Sequence, residues 1–143
     1  MLLLQRCAEI NLQYINGETA LMGAAEEGHE RVVELLLQRG AEIDLQSGDG
    51  GTALMYAASQ GNERVIELLV QRGAQVNLQE IKGGTALMHA AVLSHVPVVE
   101  QLLTSGADLH ARDNDGFDAL VAAATYRVTV RTAGRGRRRR RPL

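Results

Sequence analysis

At 143 residues, with 45% hydrophobic and only 3% aromatic content, the chain is the size of one domain or a short stack of repeats, with a core limited to Leu, Val, Ile, Ala and Met. The formal net charge of −2 hides a split: 8 of the 15 basic residues lie among the last 17 positions, so 7 basic residues accompany all 17 acidic ones before them, giving a body near −10 and a tail of +8. The single cysteine, Cys7, rules out an internal disulfide, no Cys/His spacing suits zinc, and no apolar run approaches the roughly 20 residues of a membrane helix, so the expected setting is intracellular, cytoplasmic rather than nuclear, with no membrane partner.

In chain order, the first recognisable block is Leu2-Leu3-Leu4-Gln5-Arg6, followed by Cys7-Ala8-Glu9-Ile10. It returns 33 residues later as Leu35-Leu36-Leu37-Gln38-Arg39 and Gly40-Ala41-Glu42-Ile43. Residues 1–13 are therefore expected to be the end of a repeat whose earlier part is missing.

The next unit, residues 14–46, opens on Gly17-Glu18-Thr19-Ala20-Leu21-Met22. A threonine before an apolar run can cap a helix, and Ala24-Ala25 gives that helix a small inward face. Gly28 suits the left-handed turn that would end it. A second helix follows, in which Val32, Val33, Leu35, Leu36 and Leu37 form a broad apolar face, with Arg31, Glu34 and Gln38 turned to water. Gly40 stops it. Residues 47–79 repeat this plan with Thr52-Ala53-Leu54-Met55, Ala57-Ala58, Gly61, Val65-Ile66-Glu67-Leu68-Leu69 and Gly73-Ala74. Residues 80–112 repeat it again with Thr85-Ala86-Leu87-Met88, Ala90-Ala91, Val98-Val99, Leu102-Leu103 and Gly106-Ala107.

A fourth unit begins over residues 113–126, with Asp118 in the place of the capping threonine and Ala123-Ala124 in the register of the earlier alanine pairs. The pattern then stops, because Val128-Thr129-Val130-Arg131 lacks the leucine block of a second helix. Residues 127–143 are Gly/Arg-rich and are expected to be a disordered tail. A piece of a longer array, a reading frame lost near residue 126 and a true terminus with frayed ends all fit this ending.

Gly-x-Thr-Ala-Leu-Met, Ala-Ala, Gly-His and Val-Val-x-Leu-Leu-Leu-x-x-Gly-Ala, agreeing over three consecutive units, resemble the ankyrin repeat. The resemblance covers roughly residues 1–126. It implies an all-α solenoid of stacked helix-turn-helix units with β-hairpin-like loops, or fingers, and a curved partner-binding face. The chain departs from the family pattern at Ala20, Ala53 and Ala86, where proline is usual, and at Met22, Met55 and Met88, where histidine is usual. Methionine packing is expected to replace the missing His-Thr hydrogen bonds, with softer helix starts.

No motif points to catalysis or a cofactor. Cys7 has no patterned base. His29 and His95 share one register two layers apart, and at about 10 Å per layer they sit roughly 20 Å from each other, too far to share a metal. Asp113-Asn114-Asp115-Gly116 has alanine at the first and twelfth calcium-ligand positions, Ala111 and Ala122, and reads as a turn. Gly48-Asp49-Gly50-Gly51 and Gly83-Gly84 lack the Gly-Lys-Ser/Thr order of a phosphate loop and suit finger turns.

The expected function is therefore a non-catalytic scaffold, monomeric, that binds a protein on its fingers and inner helices. By the resemblance, the contact residues are Glu18, Glu26, Glu27, Asp49, Gln60, Ile81, Lys82, Val92, Leu93, Phe117 and Tyr126, grading from acidic to apolar along the stack. Glu26 and Glu27 would steer a basic segment and the apolar group would anchor it. Alternatively, Leu93, Phe117 and Tyr126 cover the interrupted C-terminal edge. Two other functions remain open. The Arg-rich tail could make the chain a nucleic-acid-associated or nuclear protein, through non-specific phosphate contacts only, since no aromatics interleave the arginines. Or the chain could be the interaction part of a larger signalling protein or enzyme.

Overall fold

The computed structural model describes residues 9–124. Six helices are complete: α1 (Ala20–Glu27), α2 (Glu30–Gln38), α3 (Ala53–Gln60), α4 (Glu63–Gln71), α5 (Ala86–Val92) and α6 (Val96–Thr104). Residues 119–124 are also helical, and no strand occurs among the described residues. The inner helices α1, α3 and α5 pack in one row, the outer helices α2, α4 and α6 pack in a second, and each inner helix also packs on its own outer helix. The result is the all-α solenoid that the 33-residue period predicts.

Each inner helix starts on a buried threonine in extended conformation. Thr19, Thr52 and Thr85 accept from the backbone N–H of Met22, Met55 and Met88, each at 3.3 Å. This satisfies one of the amides that a helix start leaves without a partner. In the first unit the methionine reciprocates: the Thr19 amide donates to Met22 Sδ at 3.4 Å. Methionine thus partly fills the role expected of the family's histidine. In the fourth unit Asp118 Oδ1 caps the amide of Val121 at 2.9 Å, as its position predicts.

Inner helices end at Gly28 and Gly61, both at φ 72. The third unit has Ser94 in this register, and it adopts φ 58 without being glycine. In the second and third units the residue after this position links layers. Asn62 Nδ2 donates to the carbonyls of Ala25 and Glu26 at 2.8 and 2.9 Å, and His95 Nε2 lies 2.9 Å from the carbonyl of Ser59. His95 is therefore a structural cap on the preceding layer, in keeping with the turn role read from the sequence.

Alanine sets the spacing of the inner row. Ala25, Ala57, Ala58 and Ala90 are fully buried, and longer side chains there would hold the helices apart. The outer row shows which position faces which neighbour. Val65 and Val98 are buried, but Val32 in the same register is 45% exposed. Val33 and Ile66 are buried, while Val99 in their register is only partly so. The first position therefore packs on the preceding layer and the second on the following one. The broad apolar face expected of α2 is correspondingly narrower: Val33 is its buried residue, and Leu35 joins Val32 on the surface at 36% exposure.

The unusual alanine after each capping threonine yields a test. Thr52 has ψ 164, the extended conformation that a residue before proline prefers, and Ala53 occupies the first helical position, where an amide has no intrahelical acceptor. Ala53→Pro is expected to raise stability by about 0.4–1 kcal/mol, and Thr52→Ala to lower it by about 1 kcal/mol. Denaturant unfolding measures both, and a destabilising Ala53→Pro would contradict this account of the helix start.

Candidate functional site

The loops between layers form fingers, each closed by a short hairpin. Tyr14, Ser47, Glu80 and Asp113 donate their amides to the carbonyls of Glu18, Gly51, Gly84 and Phe117 at 2.8–2.9 Å. Gly17, Gly50, Gly83 and Gly116 make the turn at φ 79–84. At Gly50 a Cβ atom would also meet the Ile81 amide nitrogen at 2.9 Å, so the next finger passes too close for a side chain.

Successive fingers are bonded to one another. Gly48, Ile81 and Asn114 donate their amides to the carbonyls of Asn16, Asp49 and Lys82 at 2.8–2.9 Å. Beneath them runs a glutamine ladder. Gln13, Gln46 and Gln79 each donate from Nε2 to the carbonyl of a finger glycine in their own layer, Gly17, Gly50 and Gly83. Each donates also to the carbonyl one period ahead, at Gln46, Gln79 and Arg112. The fingers are thereby fixed against each other.

On this face the sequence-predicted residues fall as follows. Glu26 is half-buried and Glu27 exposed, at the end of α1, and Gln60 is exposed at the end of α3. Asp49 and Lys82 are exposed on fingers, Ile81 is 66% exposed, Leu93 42% and Phe117 40%. Val92 is half-buried at the end of α5. Glu18 is half-buried and accepts from the Tyr56 hydroxyl at 3.3 Å, while Ser47 Oγ lies 3.2 Å from the same hydroxyl. Burial, helped by the Glu18 carboxylate, raises the Tyr56 hydroxyl above its usual pKa, against the opposing Ser47 hydrogen bond. Tyr126 and the Arg-rich tail lie outside the described residues.

Lys82, Val92 and Leu93 come together in a recess of about 300 Å³ between the third and fourth fingers, which they share with Glu80, Gly84, Met88, His89, Asp113, Asp115 and Ala122. The expected grading from acidic to apolar therefore describes the inner-helix ends but not the fingers, because carboxylates return at Glu80, Asp113 and Asp115. Tyr56 and His89 also lie at the finger bases, though neither is among the contact residues that the resemblance implies. Their signal was available: the register that holds Gly23, Tyr56, His89 and Ala122 changes in every unit while its neighbours repeat. Among the described residues, no group of three or more His, Cys, Asp or Glu side chains is arranged to hold a metal ion, and no helix is long and apolar enough to cross a membrane.

The family model described as ankyrin repeats (3 copies) matches residues 1–80, and the model of the single ankyrin repeat matches residues 82–114. The chain belongs to the ankyrin-repeat family, whose members are generally protein-protein interaction modules and typically non-catalytic. No curated protein matches the chain.

His89 gives the face a measurable marker. Burial lowers its pKa below the ordinary 6.5, and the nearby Glu80 carboxylate only partly opposes this. The folded state thus binds the proton less readily than the unfolded chain. The stability from keeping His89 neutral is present above about pH 6.5 and is lost as pH falls through the lowered value. Following the His89 ring protons by NMR should show a midpoint below 6.5, moving lower still in Glu80→Gln. A midpoint at or above the ordinary value would contradict the burial.

Proposed function

We propose that the chain is a non-catalytic, monomeric scaffold that holds a partner protein on its fingers and inner-helix ends. The supporting observation is where the repeat varies. Residues common to the units cap helices, fill the core or join fingers, whereas those that change from unit to unit, such as Glu26, Ser59 and Val92 in one register or Glu27, Gln60 and Leu93 in another, lie along one face. A face that differs in every layer, on a frame that does not, suits recognition of one extended surface.

The partner is basic where it meets the array. Glu18, Glu26, Glu27, Asp49, Glu80, Asp113 and Asp115 belong to this face, against Lys82. Such a field raises encounter rates more than it raises final affinity. Glu26→Lys combined with Glu27→Lys should slow association with a partner recovered by affinity capture, by roughly tenfold at low ionic strength, with the difference shrinking as salt is added. An unchanged association rate at low salt would remove the steering role.

A further inference from the structure

Repeat register explains why a recess opens between the third and fourth fingers. In the second unit, the inner-helix position in question carries Tyr56, whose ring covers the finger base: a Cβ at Gly51 would meet Tyr56 Cε2 at 3.2 Å. The same position carries His89 in the third unit and Ala122 in the fourth. Ala122 is too short to cover its finger, and about 300 Å³ stays open.

The recess has two kinds of wall. Met88, Val92, Leu93 and Ala122 make an apolar side, while Glu80, Asp113 and Asp115 bring three carboxylates against the one ammonium of Lys82. Arg31 with Glu34 on α2 is the only ion pair among the described residues, so no described cation lies within 4 Å of these carboxylates. Asp113 Oδ1 already accepts from the amides of Asp115 and Phe117, each at 2.9 Å, which fixes that carboxylate in place.

This pairing of walls selects its occupant. A wholly apolar side chain would strip water from the carboxylates and leave them unpaired, which is costly, and an anion would be repelled. A long cationic side chain meets both demands, its methylene stem on the apolar wall and its charged head among the carboxylates. We propose that the recess seats one Arg or Lys side chain of an extended partner segment, with an adjacent aliphatic residue against the exposed Leu93. The assignment rests on the reading that the finger face binds a protein, and it adds the location of a specific anchor.

Selection of random peptides on the immobilised full chain tests it without knowledge of the partner. Enriched peptides should share an Arg or Lys beside an aliphatic residue. Glu80→Gln with Asp115→Asn should weaken a selected peptide roughly three- to tenfold, as expected for the loss of two partly exposed ion pairs. Ala122→Tyr should abolish or greatly weaken binding by filling the recess. Tyr56 in this register lies over Gly51, whereas the fourth unit has Phe117 there, so Ala122→Met, slimmer and more flexible, serves as a second filling variant. Thermal unfolding confirms that each variant is folded. Selection that yields no cationic-aliphatic motif, or peptides indifferent to the charge and filling variants alike, overturns the anchor. Peptides that respond to Glu26→Lys with Glu27→Lys but not to these variants overturn the anchor while leaving the broader binding face intact. Enrichment only by a full-length variant with Arg137 to Arg141 changed to Ser would assign the recess to the chain's own arginines, and so overturn the partner assignment.

Discussion

The structure depends on the close approach of neighbouring inner helices, and alanine permits it. Ala25, Ala57, Ala58 and Ala90 have no accessible surface, so each inner helix completes its burial only against the next layer. The outer helices show the same dependence in their exposure. One valine register is buried at Val65 and Val98 but open at Val32, and the adjacent one is buried at Val33 and Ile66 but only partly at Val99. A single unit of this sequence would leave its inner-helix alanines and its paired outer-helix positions without the neighbours that bury them. Its stability is accordingly a property of pairs of layers, the nearest-neighbour behaviour of solenoids.

Layer spacing also governs the polar connections. Asn62 reaches the carbonyls of Ala25 and Glu26, and His95 reaches that of Ser59, because the inner helices are close enough for one side chain to cap the helix before it. Each ladder glutamine spans from its own finger to the next, which requires a constant rise between layers. The fingers inherit their positions from these bonds. Side chains presented on them are thus held on a rigid frame, and less ordering is needed when a partner binds.

Much of this was legible in the sequence. The 33-residue period gave the helices, their capping threonines and the glycines that end them, since each is a local consequence of residue type. Asp118 could be read as a cap for the same reason. The breadth of the α2 apolar face could not, because exposure at Val32 and Leu35 depends on which side of the helix has a neighbour. The glutamine ladder was written at Gln13, Gln46 and Gln79, yet an exposed polar residue carries no sign of a long-range bond even when it recurs. The recess lay further out of reach. It arises from a missing side chain at Ala122 combined with carboxylates from two different fingers, and no single segment displays that combination.

The same comparison of registers separates scaffold from site. Ser94 accepts a left-handed backbone in place of glycine, and its neighbour His95 replaces Asn62 while making an equivalent interlayer contact, so the frame tolerates change where geometry is kept. The series Gly23, Tyr56, His89, Ala122 follows no such rule: it passes from no side chain to a large ring and back to a methyl group. Tyr56 uses its space internally, with its hydroxyl on Glu18, whereas Ala122 leaves its space open beside Glu80, Asp113 and Asp115. Exposed ion pairs contribute little on their own, so in the proposed recess the carboxylates would discriminate among partners more than bind them. The larger share of affinity would then fall to the apolar wall of Met88, Val92 and Leu93, against which a side-chain stem can pack. On the proposed reading, the small residue at Ala122 opens the place where a partner side chain enters, and the acidic fingers select its charge.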